Sequence, residues 1–179
     1  AVSDERMNEY LKQPKLAVYK HYLENILRQK AHVLSLAEEK ILAESGELAD
    51  AAGTIFSMAN DADMKFGVIN DENGTETEIT KGSYIRFMES KDRTVRKAAF
   101  TTLYASYQKQ INTFAAMLNA SIKSDCFYAR IRHYPSAIEQ ALDADNIPLA
   151  VYDSLIETVH SYLPDLYRYL TLRKKVLGL

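Results

Sequence analysis

The sequence predicts a mainly α-helical fold: a multi-helix bundle around one long central helix over about residues 90–133, with one small β-hairpin over about 64–80. Three observations predict it. From Ser90 to His133 there is no Gly or Pro, and apolar and aromatic residues recur at helical spacing: Phe100, Tyr104, Tyr107, Ile111, Phe114, Leu118, Ile122 and Ala129. The 179 residues are 47% hydrophobic with only six Gly and four Pro, the composition of a packed, helix-rich chain. In one segment the period drops to 2, because Met64–Ile69 and Thr75–Thr80 alternate around an Asn70–Gly74 turn. At about 1.5 Å per residue the central helix would run roughly 60 Å, so shorter helices must pack against it. A second apolar set, Val95, Ala99, Leu103, Met117 and Ala120, lies off the first stripe and predicts partners on more than one side.

In chain order, residues 4–12 read as a short amphipathic helix interrupted at Gln13-Pro14, where the proline suits the first turn of a helix over 14–30. Its buried face is Leu16, Tyr19, Leu23, Ile26 and Leu27. Ser35-Leu36-Ala37-Glu38 is a capping box that starts a helix to about Ser45, with Gly46 as its stop and another helix over 47–61. Two strands alone are marginal in water, so the Phe66 and Val68 face of the hairpin must lie on a helix or pair with strands from outside the chain. Thr80 caps a helix over 81–88, and Ser90 is the expected cap of the central helix. Pro135 ends that helix by forcing Tyr134 out of the helical region. A helix over 135–143 follows, and Pro148 opens the last helix, which Pro164 is expected to kink or restart. Arg173, Lys174 and Lys175 suit its C-terminal dipole. The expected organisation is N-terminal helices over 1–63, a hairpin over 64–80 and a long-helix bundle over 81–179, all one structural unit.

The net charge of −2 comes from 22 basic and 24 acidic residues mixed along the chain, which leaves no basic field for nucleic acid. No run approaches eighteen apolar residues, so no membrane partner is expected. The lone Cys126 cannot form an internal disulfide and fits a reducing, cytoplasmic location.

The histidines that could serve catalysis, a cofactor or a metal are His21, His32, His133 and His160. None is followed by Glu, so the His-Glu-x-x-His zinc pair is absent. Glu157 and His160 have the Glu-x-x-His spacing of di-iron bundles, but those sites need a second such pair and two further inward Glu. These histidines read as surface or interface residues. Asp61, Asp63, Asp71 and Glu72 lack calcium-loop spacing and read as a solvated helix end and turn. Cys126 reads as a small buried thiol. Lys91, Arg93, Arg96 and Lys97 oppose the helix dipole and are expected to pair with acids on a neighbour, whereas Arg130, Arg132 and His133 suit a helix C-terminus. Binding of an acidic peptide terminus is the alternative role for that last trio. From the residues alone, no catalytic, cofactor-binding or metal-ligating residue is assigned: catalytic none, cofactor-binding none, metal none.

Three stretches carry a resemblance: Asn60–Thr80, Ser83–Leu142 and Asn146–Leu179. Within them, Glu89-Ser90-x-Asp92-Arg93, Ala129-Arg130-x-Arg132 and Asn146-Ile147-Pro148 with Arg173-Lys174-Lys175 are the most specific. Together they resemble the amino-terminal region of the oligoendopeptidase F family, within the thimet-oligopeptidase-like zinc metallopeptidases. Lys91 departs from the proline common there and bears only on helix initiation. The resemblance implies a cytoplasmic parent enzyme that cleaves short peptides inside a helical shell, this chain forming part of the substrate-channel wall. It also implies that the zinc is held by a His-Glu-x-x-His helix and a further Glu beyond Leu179. This chain alone is then expected to be inactive and to bind no zinc, with the downstream catalytic region as its partner and exposed apolar patches that drive self-association. The alternative is a stand-alone helical protein-interaction domain without enzymatic activity.

Overall fold

Short polar side chains start the helices where the sequence offers them. Ser3 Oγ accepts from the Arg6 backbone N–H and starts α1 (Asp4–Leu11). A 3-10 turn over Pro14–Tyr19 leads into α2 (Lys20–Gln29), and the Ser35–Glu38 capping box opens α3 (Leu36–Ala49) with both reciprocal bonds present, at 3.4 and 3.0 Å. Asp50 interrupts only briefly before α4 (Ala51–Ser57), which continues as a π turn over Met58–Asp63. Strands β1 (Val68–Asn70) and β2 (Glu76–Glu78) form an antiparallel pair, Ile69 opposite Thr77. A Thr80–Ser83 capping box opens α5 (Lys81–Met88). Then come α6 (Arg93–Lys109), α7 (Ile111–Ile131), α8 (Ala137–Asp143) and α9 (Leu149–Leu177). The structure, a computed structural model, describes residues 2–178. The chain is thus mainly α with one small hairpin, as the sequence predicts.

The predicted boundaries differ at four places. Gly46 does not stop α3: one Gly costs a helix interior only about 1 kcal/mol against Ala, and α3 continues for a further three residues. The cap of the central segment is Asp92, which accepts from Thr94 N–H at 2.7 Å, and not Ser90, whose hydroxyl accepts from Asp92 N–H. That segment is two helices and not one, divided at Gln110 with φ −114° and ψ 15°. Gln110 N–H donates to Tyr107 O and its carbonyl immediately accepts from Phe114 N–H, so a single residue carries the break. Pro164 lies inside α9 and does not restart it, so one helix assignment runs from Leu149 to Leu177.

Proximity along the backbone divides the chain into two compact units, Lys40–Ser124 and Ala1–Glu39 with Asp125–Leu179, and the chain passes from one to the other within α3 and α7. In the first, the hairpin lies on α5 and α6. Met64, Phe66, Ile69, Ile79, Phe87, Val95, Ala99 and Leu103 make one buried cluster, with Ile79 at 1% exposure and Ala99 at 0%. Phe66 and Ile69 both point inward, which breaks strict alternation, because Gly67 between them takes φ +98°. Val95, Ala99, Leu103 and Met117 of the stripe that looked secondary in the sequence are buried, Ala120 is not, and Ala129 is the one buried member of the other. Phe100, Tyr104, Ile111, Leu118 and Ile122 of the stronger stripe are exposed, Leu118 at 63%. Several of its rings instead form a ladder: Phe100–Tyr104, Tyr104–Tyr107, Tyr107–Phe114 and Phe114–Phe56 centroids lie 4.5–6.2 Å apart.

In the second unit α1 packs on α2, and α8 on α9. The apolar face of α9 has no buried residue: Leu155, Val159, Leu166 and Leu170 are all exposed, Leu155 at 61%. Twenty-nine residues at about 1.5 Å each make α9 about 43 Å long.

Candidate functional site

The one dense cluster of charged and polar side chains among the described residues lies where α7 ends, and backbone geometry builds it. His133 takes φ +62°, Tyr134 N–H donates to Ala129 O at 2.8 Å and His133 N–H to Arg130 O at 3.1 Å. This is a Schellman closure with His133 in the position usually held by Gly. Asn146 (φ +54°) repeats it at the end of α8, with Ile147 N–H on Leu142 O. The first closure frees the Arg132 carbonyl, which pairs with His32 Nδ1 at 2.7 Å, and turns the Tyr134 ring onto the His32 ring, centroids 3.6 Å apart and planes 10° apart.

Every charge in the cluster has a partner. Arg132 Nη1 and Nη2 donate to Glu39 Oε1 and Oε2 at 2.8 and 2.9 Å, a bidentate fork, and Nη1 also donates to His32 O. Arg28 donates to Asp143, whose other oxygen accepts from the Tyr134 hydroxyl at 2.8 Å. The Arg132 fork, with the Leu34 N–H, holds the Glu39 carboxyl down to about 2. Burial pulls Asp143 upward, but Tyr134 and Arg28 outweigh it and leave this carboxyl below its ordinary value. Burial first, then the bond to Asp143, pushes the Tyr134 phenol up to about 12.

An alkaline absorbance titration checks this network. Tyr134 is expected to ionise near the end of the titration, after most of the twelve tyrosines, and Tyr134→Phe to remove that late step. Because its folded value is raised, the stabilisation is whole below pH 10 and disappears as pH rises through about 12. A titration without a late step would contradict the assignment.

The sequence-level candidates are scattered. His32 enters the cluster; His21 meets Asn25, 3.2 Å away, and His133 and His160 are exposed. Glu157 and His160 sit on the solvent side of α9. Cys126 is exposed, not buried as its type suggested. Asp61 pairs with Lys81 at 2.5 Å, and Asp71 Oδ1 accepts from the Asn73 and Thr75 N–H groups, which closes the hairpin turn. Arg96 donates to the Ser90 and Lys91 carbonyls, at 2.6 and 3.0 Å, and not to an acid. Of Arg130, Arg132 and His133, only Arg132 is fixed in the cluster, and Glu39 already occupies its fork. That arrangement disfavours capture of a peptide carboxylate there.

Chemically, the cluster fastens helix ends. A cleft of about 290 Å³ beside it is lined by His32, Tyr134, Glu139 and Asp143 among others, yet Glu139 caps α8 through Ser136 and Asp143 is doubly engaged. No group of three His, Cys, Asp or Glu side chains stands together to hold a metal among the described residues. The residues present therefore do not fit a zinc site, and no catalytic step is assigned to them. Sequence reasoning missed Glu39 and Asp143, which lie 93 and 115 positions from their arginine partners.

Against known proteins, residues 1–66 match the family model described as Oligopeptidase F, and residues 86–179 match that of Peptidase family M3. Oligopeptidase PepF of Bacillus subtilis is 43% identical over 100% of this chain and 27% of its own length. Group B oligopeptidase PepB of Streptococcus agalactiae is 47% identical over 94% of this chain and 28% of its own. The crystal structure of oligoendopeptidase-F from Enterococcus faecium superposes with a TM-score of 0.89 at 44% identity, over 99% of this chain and 34% of that one. A putative peptidase from Chlamydophila abortus gives 0.93 at 32% identity, over 100% and 30%. The chain thus spans about three tenths of the length of the relatives it matches.

Proposed function

Because the chain belongs to peptidase family M3, we propose that it is the amino-terminal part of a larger, cytoplasmic oligopeptidase that hydrolyses short peptides, with a zinc ion held by residues outside this chain. Its role there is architectural: its helices form part of the wall of the substrate channel. The observation that carries the proposal is end-to-end similarity to named oligopeptidases while spanning under a third of their length. The exposed apolar face of α9 supports it, since a long row of Leu, Val and Tyr in water is unfavourable unless another surface covers it. In the parent that surface is the downstream catalytic region, and this chain by itself self-associates through the same row. A wall of this kind limits which peptides reach a hydrolytic metal and keeps folded proteins out. No helix among the described residues is long and apolar enough to cross a membrane.

The test is to express this sequence joined to the segment its gene encodes beyond Leu179 and to assay cleavage of short peptides. Activity that a chelator removes and zinc restores is expected from the longer protein and absent from the 179-residue chain. An extended protein without chelator-sensitive cleavage would overturn the proposal.

A further inference from the structure

The hairpin has one edge that its own ladder leaves open. Gly67 O accepts from Ile79 N–H at 2.8 Å, and Asp71 N–H donates to Thr75 O at 2.9 Å. With Val68 opposite Glu78 and Asn70 opposite Glu76, antiparallel alternation places the bond-exchanging pairs at 67/79, 69/77 and 71/75. The backbone N–H and C=O groups of Val68 and Asn70 therefore point away from β2, and Val68 is 51% exposed. A groove of about 510 Å³ runs between β1 and α6. The helix contributes Thr94, Ala98 and Thr102, spaced four apart on one row. These are short side chains, so the row leaves room beside β1, where a further strand would lie about 4.8 Å away.

Charge selects the occupant. Asp71, Glu76 and Asp92 line the groove and no Lys or Arg does. Asp71 and Asp92 each use Oδ1 for nearby backbone N–H groups, which leaves Oδ2 for a ligand, and Glu76 is exposed. We infer that the open edge of β1 docks an extended cationic peptide segment, which adds a third strand beside β1 and over the small-residue row of α6. Backbone bonds to Val68 and Asn70 hold the strand, and the carboxylates select its basic side chains. This goes beyond the peptidase proposal and does not rest on it, because binding is read on this chain alone.

The experiment is fluorescence anisotropy of two labelled, amidated hexapeptides, Lys-Val-Thr-Val-Thr-Lys and Glu-Val-Thr-Val-Thr-Glu, titrated with the chain at low salt. The cationic peptide is expected to bind at least about tenfold tighter than the acidic one. Val68→Pro removes an outward N–H and no bond of the hairpin, and Gly67 tolerates a following proline, so this variant is expected to weaken the cationic peptide about tenfold. Glu76→Lys, on an exposed side chain, is expected to erase the preference between the two peptides and keeps the test decisive if Val68→Pro melts the hairpin, which far-UV circular dichroism reads. Equal binding of both peptides, no binding at millimolar protein, or indifference to both substitutions would overturn the inference. So would a concentration-dependent dimer that protects the Val68 and Asn70 amides from hydrogen exchange without peptide, since the occupant would then be a second copy.

Discussion

Phe87→Ala is expected to lower stability by about 3–5 kcal/mol, as large-to-small changes at buried aromatic sites do. The ring is 4% exposed and belongs to the cluster in which α5, α6 and the hairpin meet. Against a total of about 5–15 kcal/mol for a typical domain, that loss leaves the hairpin unit marginal. The matched comparison is Leu155→Ala on α9, measured at a dilution that keeps the chain monomeric, where the side chain faces water and the change should stay within about 0.5 kcal/mol. Urea unfolding of the two variants decides the matter. Equal costs would mean that α9 is covered in solution, which sedimentation at several concentrations would then reveal.

The second large effect is pH-dependent. Glu39→Gln and Arg132→Met are each expected to lower the thermal midpoint by several degrees at neutral pH, because either change leaves the other half of the fork and the helix ends it joins without their partner. Glu39 has a depressed folded value, so its contribution is whole above its ordinary 4.5 and is lost as pH falls through about 2. Melting curves of the native chain and Glu39→Gln should therefore converge near pH 2, separate between about 2 and 4.5, and keep a full gap above 4.5. Both groups are partly solvated, so added salt should narrow the gap at neutral pH. A gap that is constant from pH 2 to 7 would show that Glu39 acts through packing and not through charge.

How much of this was legible varies by element. The capping boxes at Ser35 and Thr80, the turn at Asn70–Gly74 and the stop before Pro135 are set by neighbours within a few residues, and the sequence shows them. Gln110 carries no such mark: its break has no Gly or Pro to announce it. The exposed state of the Phe100–Ile122 stripe was equally hidden. Helical spacing shows that two apolar rows exist but not which one meets the hairpin; buried area decides in favour of the Val95–Ala99–Leu103 row. The Arg132–Glu39 fork was out of reach for another reason, since any acid in the chain could have filled it and only the folded path brings position 39 to position 132.

The sequence by itself determined the helix-rich class, the place of the hairpin, the lack of zinc-motif spacing and the kinship with oligopeptidases, because each rests on local periodicity or on residue identity. The tertiary structure alone decided which stripe is core, where the central segment breaks, how the ends of α7 and α8 are fastened, and which edge of β1 stays open. Those depend on contacts between positions far apart in the chain, whose energies are realised only once the backbone has brought them together.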